Sequence, residues 1–197
     1  EEPAEKTVKM TKEEQVLKYY YIHVSGGVIE KHIDAISGQI LENAVHNGNE
    51  GDAYNIPSRT FDGYDLVEDR LPANSKGTMK VDPVEVIYYY SYKTKVKAEY
   101  IDKNTGNRLT DDVVQNGHEG DNYTTERKLF DGYKLIEVPA NADGSMTKED
   151  IIVKYYYVRT SGGVIVNHLD IKTNKQLIDE TKEEGYEGDP YETHEEN

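Results

Sequence analysis

From Val84 to Tyr92 the chain alternates: Val84, Val86, Tyr88, Tyr90 and Tyr92 fall on one side, and Glu85, Ile87, Tyr89 and Ser91 on the other. A period of two predicts a strand, and the more apolar Val/Tyr side predicts the face turned to the core. Ile151, Val153, Tyr155 and Tyr157 stand in the same way against Ile152, Lys154 and Tyr156. Val96, Ala98 and Tyr100 alternate with Lys97 and Glu99 up to the polar turn Asp102-Lys103-Asn104-Thr105-Gly106, after which Arg108 to Val114 is expected to return as a hairpin partner. Asp131 to Glu137 reads as a turn feeding a further strand, and Asn141 to Ser145 as a loop before the final tyrosine strand. No segment carries a helical period, although Asp121 to Arg127 has room for a single helical turn. The pattern predicts a mostly β fold (α+β at most), built as one small sheet per unit and covered by a helical turn or a crossing loop.

These patterns recur. The tyrosine strand appears as Lys18-Tyr19-Tyr20-Tyr21, Ile87-Tyr88-Tyr89-Tyr90 and Lys154-Tyr155-Tyr156-Tyr157. Gly48-Asn49-Glu50-Gly51-Asp52-Ala53-Tyr54 returns as Gly117 to Tyr123 and Gly185 to Tyr191, Phe61-Asp62-Gly63-Tyr64 as Phe130 to Tyr133, and Pro72-Ala73-Asn74 as Pro139 to Asn141. A period near 68 residues predicts tandem modules. Residues 25–92 and 93–159 form two complete units. Residues 1–24, with Pro3-Ala4 and Met10-Thr11-Lys12-Glu13 in register with Pro139 and Met146, read as the tail strand of a preceding unit. Residues 160–197 read as the first half of a following one. Both ends thus fall inside a unit, which predicts a segment of a longer array. Modules joined by Lys93-Thr94-Lys95 are expected to stack end to end as a rod, with more flexibility at Val24-Ser25-Gly26-Gly27 and Thr160-Ser161-Gly162-Gly163.

Composition narrows the function. The 197 residues contain no cysteine, so disulfides and thiolate metal sites are excluded, and 17 Tyr with two Phe and no Trp must fill thin cores. Tyrosine suits that task because it buries its ring while its hydroxyl stays wet. The net charge of −15 argues against nucleic acid and anionic membranes as partners, since repulsion replaces the counterion-release gain. A monomer in solution is expected.

The units resemble the MucBP repeats of Gram-positive surface adhesins: Val96, Tyr100 and Asp102; Gly117, Gly120 and Tyr123; Gly132, Tyr133 and Leu135; then Val153, Tyr155 and Tyr157 follow that family's order and spacing. The other units carry His32 and His168 in place of Tyr100. The resemblance implies an elongated, ubiquitin-like β-grasp module. It further implies an extracellular protein held on the cell wall and adhesion to mucin or other host glycoprotein glycans.

The middle tyrosines Tyr20, Tyr89 and Tyr156 point away from the predicted core, and an exposed ring is a platform on which a sugar can stack, with Glu85, Ser91 and Lys154 as polar neighbours. The competing reading packs these rings on the next module, on a covering loop or against a cross-strand neighbour. Weak sites repeated along a chain would gain avidity. The Glu-Gly-Asp turns place Glu50 with Asp52 and Glu119 with Asp121 as candidate calcium ligands, but two hard oxygens fall short of the six or more that calcium takes. The structural reading is a turn with glycine at positive φ and aspartate accepting a local backbone bond. Repetition and the lack of a cleft argue against a glycosidase pair. The six histidines, at 23, 32, 46, 118, 168 and 194, form no zinc-type spacing. Expected is a non-enzymatic adhesin segment without a cofactor. The alternatives are a passive stalk projecting a distal binding domain, and β-strand addition to a partner protein along an exposed edge.

Overall fold

The computed structural model describes residues 9–193, so Pro3, Ala4 and His194 lie outside the described residues. The strands in chain order are β1 (Val28–Asp34), β2 (Ile40–His46), β3 (Ala53–Asn55), β4 (Tyr64–Leu66), β5 (Lys76–Thr78), β6 (Val84–Asp102), β7 (Val113–His118), β8 (Asn122–Thr124), β9 (Tyr133–Leu135), β10 (Asp143–Ser145), β11 (Ile151–Arg159), β12 (Val164–Leu169) and β13 (Gln176–Glu183). Among the described residues the one helical element is the 3-10 turn Glu68–Arg70. The protein is mostly β, built of tandem modules. Among the described residues two compact units emerge: the first holds the chain from Lys9 to Ile33, Ile40–Arg59 and Glu68–Tyr88, and the second holds Asp34–Gln39, Thr60–Val67 and the chain from Tyr89 to Thr193.

In the second unit β6 runs parallel to β11, with Val96 opposite Ile151 and Tyr100 opposite Tyr155. Antiparallel β7 flanks β6, and β9 flanks β11. Two parallel neighbours need a crossover, and here it is the extended segment after β8. The alternating face meets it: Val96, Ala98, Tyr100, Val153, Tyr155 and Tyr157 are all buried, joined by Tyr123, Ala142 and Met146. Tyr100 donates its hydroxyl to the Glu126 carbonyl at 2.8 Å, Tyr155 to Thr125 at 3.0 Å and Tyr157 to Lys128 at 2.8 Å. The hydroxyls of the core tyrosines are therefore bonded to backbone rather than left wet, contrary to the expectation from composition. They pin the covering strap by its backbone, satisfying carbonyls that have no ladder partner.

In the first unit β1 pairs with β2, β3 with β5, and Val28, Ile56, Met79, Val86 and Tyr88 are buried. Tyr88 donates to the Ile56 carbonyl at 2.8 Å, the counterpart of Tyr155 on Thr125.

Four expectations change. Lys93-Thr94-Lys95 is no connector but the middle of β6, because its three residues pair with His118, Gly117 and Asn116 of β7. Asp121 to Arg127 forms no helical turn; it carries β8, which pairs with β10 inside the expected loop Asn141–Ser145. The hairpin partner lies later than Arg108–Val114: Arg108 makes only an isolated bridge to Ile101, and pairing starts at Val113. The Lys18–Tyr21 copy is not a strand, and Tyr20 is 88% exposed, because no described strand lies beside it to complete its hydrogen bonds.

Candidate functional site

The repeated landmarks perform the same work in both units. Gly48 and Gly117 lie where an added Cβ would come within 2.6 and 2.8 Å of the Met79 and Met146 sulfurs. Gly51 and Gly120 both take φ of +89°, a conformation open to glycine. Asp52 and Asp121 accept the backbone N–H of Asn49 and His118, each at 2.7 Å, and Asp189 accepts that of Tyr186 at 2.9 Å. The Glu-Gly-Asp aspartates thus serve as turn acceptors. Of their glutamates, Glu50 is exposed 3.9 Å from His23, whereas Glu119 turns a buried oxygen toward Lys148 at 4.0 Å. Among the described residues no group of three or more metal-ligating side chains converges.

Tyr54 and Tyr123 donate to the Asn74 and Asn141 carbonyls at 3.1 and 3.2 Å. Those asparagines in turn donate to the Glu85 and Ile152 carbonyls of the tyrosine strands. The Phe-Asp-Gly-Tyr element places Phe61 edge-on to Tyr90 and Phe130 edge-on to Tyr157, with ring centroids 4.9 and 5.0 Å apart. Its tyrosines, Tyr64 and Tyr133, donate to Asp34 at 3.1 Å and Asp102 at 3.2 Å.

Asp34 and Asp102 end the first strand of their modules and accept two backbone N–H groups each, from Ile36 and Ser37 and from Asn104 and Thr105. Burial opposes the charge on both, but the donors win and hold each carboxyl below its ordinary range. Asp34 also pairs with Lys148 at 2.7 Å. That ammonium lies 5.9 and 5.7 Å from the ring centres of Tyr64 and Tyr92, and the Asp34 hydrogen bond raises its pKa against the pull of desolvation.

The first unit holds a charged cluster that the sequence reading missed. Glu30 and His32 occupy core-facing positions of β1 and are 2% and 0% exposed. One Glu30 oxygen binds His32 Nε2 at 2.7 Å and Arg59 Nε at 2.8 Å, and the other binds His46 Nε2 at 2.7 Å. Arg59 reaches on to Glu42 at 2.6 Å. Burial pushes the Glu30 carboxyl up, but the bonds from His32, Arg59 and His46 outweigh it and bring it down to about 2.

The middle tyrosines separate into three environments. Tyr20 sits in the strandless segment. Tyr89 is half-buried, its carbonyl accepting the Val67 N–H at 2.9 Å. Tyr156 is 40% exposed on the outer face of β11, opposite Ile101, with its carbonyl accepting the Ile136 N–H at 3.0 Å. Ile152 and Ile136, also on this side, are 46% and 40% exposed. Lys154, two residues along, lies opposite Glu99, which Lys97 and Arg108 bind at 2.7 and 2.9 Å. The outward face of the second unit is thus a small aromatic and aliphatic patch beside charged neighbours.

The MucBP domain family matches residues 28–91, 95–158 and 163–197. The chain belongs to the MucBP domain family. Its curated relatives include internalin J of Listeria monocytogenes serotype 4b (strain F2365), 34% identical over 99% of this chain and 22% of the relative. Internalin I of the same strain is 24% identical over 75% of this chain and 8% of that protein. The chain therefore spans about a fifth of the internalin J it matches. Among solved structures, the type 2 repeat of the mucus binding protein MUB from Lactobacillus reuteri covers 67% of this chain and 98% of its own, at 16% identity and a TM-score of 0.26. MucBP membership makes the chain a surface-adhesin repeat segment with an extracellular setting, in a family of binding repeats rather than of enzymes.

Proposed function

We propose that these modules bind mucin or other host glycoprotein glycans through weak sites repeated along the chain, in a protein held at the bacterial cell wall. The observation that carries this reading is the exposed ring of Tyr156 beside Ile101 and Ile136 on an otherwise strongly acidic chain. An aromatic face with a polar neighbour, here Lys154 two residues along the strand, is what the apolar side of a sugar stacks on. Individually weak contacts become useful through repetition.

The half-buried Tyr89 favours a second reading, in which some modules are spacers that project a distal domain. Binding of the chain to immobilised mucin and to a glycan array, with and without calcium, separates the two. Glycan-selective binding that the Tyr89→Ala/Tyr156→Ala double variant loses supports the adhesin, and no binding under any condition supports the stalk.

A further inference from the structure

The three modules each expose one strand in the same position: β2, β7 and β13. An open edge carries unpaired N–H and C=O groups that invite another strand, and proteins ordinarily guard it with charge or a bulge. Two of these edges are guarded. The pairing of β2 with β1 breaks register between His32 and Ile33, and β2 carries Glu42. The pairing of β13 with β12 breaks register twice, and β13 carries Asp179, Glu180, Lys182 and Glu183.

The third edge is bare. β7 pairs with β6 in unbroken register from Lys93↔His118 to Ala98↔Val113, and its run Val113-Val114-Gln115-Asn116-Gly117 has no charge and no proline. Val113 and Val114 are 44% and 50% exposed. Glu119 donates its N–H inward to the Tyr92 carbonyl at 2.9 Å, so by antiparallel alternation Gly117, Gln115 and Val113 also face β6. Val114 and Asn116 then direct both of their backbone groups outward.

We infer that β7 is a self-association edge, where a second copy of this chain adds its own β7 antiparallel about a two-fold axis at Gln115. That register sets Val114 opposite Asn116 of the second copy, on both sides of the axis, so the outward donors and acceptors of the two residues are matched in four hydrogen bonds. The same register brings Asp112 opposite His118 of the second copy, each already held within its own chain, Asp112 by Arg108 and His118 by Asp65, so these two add nothing to the contact. The edge is short and the copies repel through their net charge of −15, so the contact is weak, strengthens with salt, and suits chains crowded on a surface. The inference departs from the monomer expected of the sequence, and it does not depend on glycan recognition.

Sedimentation equilibrium of the chain from micromolar to millimolar concentration tests it. The weight-average mass is expected to climb from 22.4 kDa toward twice that value. Asn116→Pro removes an outward N–H while leaving the ladder to β6 intact, and weakens association by roughly tenfold or more. Val114→Lys is a second variant for the case that the proline variant misfolds, with circular dichroism as the check on folding. Val45→Lys on the guarded β2 edge leaves association unchanged. A constant monomer mass at all concentrations overturns the inference. Association that survives both β7 variants when folded, or that Val45→Lys abolishes equally, overturns it too.

Discussion

The two units present the same backbone position with opposite chemistry. In the second, Tyr100 stacks on Tyr155 with ring centroids 5.4 Å apart and an interplanar angle of 11°. Its neighbours on that face include Ala98 and Gln115, and Lys128 lies over the Tyr100 ring at 4.6 Å. In the first, His32 stacks on Tyr88 at 5.5 Å and 7°, and Glu30, His46 and Arg59 take the positions of Ala98, Gln115 and Lys128. The stack survives the exchange of tyrosine for histidine because a flat ring fills the slot in either case. What changes is how polarity is satisfied. The tyrosine hands its hydroxyl to a strap carbonyl, whereas the histidine hands its N–H to a buried carboxylate. The module frame is thus set by the shared turns and tyrosine strand, and the interior of the first strand is free to be apolar or ionic.

The largest expected effect comes from breaking the ionic version alone. Glu30→Ala removes the buried carboxylate that His32, Arg59 and His46 share and destabilises the first unit by about 3–5 kcal/mol, read as a lowered urea midpoint. Acid probes the same group. The folded Glu30 value of about 2 lies below its ordinary 4.5, so its stabilisation is complete above about pH 5 and is lost as pH falls toward 2. The loss is roughly 3 kcal/mol in unfolding free energy; a pH series of urea melts reads it, and a chain lacking Glu30 shows a correspondingly flatter profile. Tyr100→Phe in the second unit leaves the Glu126 carbonyl without its donor and costs about 1 kcal/mol. The smallest effect concerns the Glu-Gly-Asp turns. Because Asp52 and Asp121 are occupied as turn acceptors, calcium or chelator leaves the thermal midpoint unchanged.

Much of the frame was legible in the sequence, since alternation placed Val86, Tyr88 and Tyr90, and Val153, Tyr155 and Tyr157, on the buried face. The covering strap was legible only as one of two options, because an extended crossing segment has no period of its own. β8 and β10 were missed for a related reason: three-residue strands such as Asn122–Thr124 and Asp143–Ser145 exist only through each other. The Lys148 contact with Asp34 was equally invisible, being set by tertiary placement. The Glu30 cluster did leave a signal. Glu30 and His32 align with Ala98 and Tyr100 on the core-facing register of β1, and two polar residues there demand buried partners.

The interchangeability of the two interiors is the central claim, and a four-residue exchange tests it most directly. Glu30→Ala, His32→Tyr, His46→Gln and Arg59→Lys together give the first unit the side chains of the second. Urea unfolding of this variant is predicted to recover most of the stability that Glu30→Ala alone removes, since replacing a whole buried ionic set by packed groups is close to neutral. A four-residue variant as unstable as Glu30→Ala, or more so, would contradict the claim and make the ionic cluster a requirement of the first unit's fold.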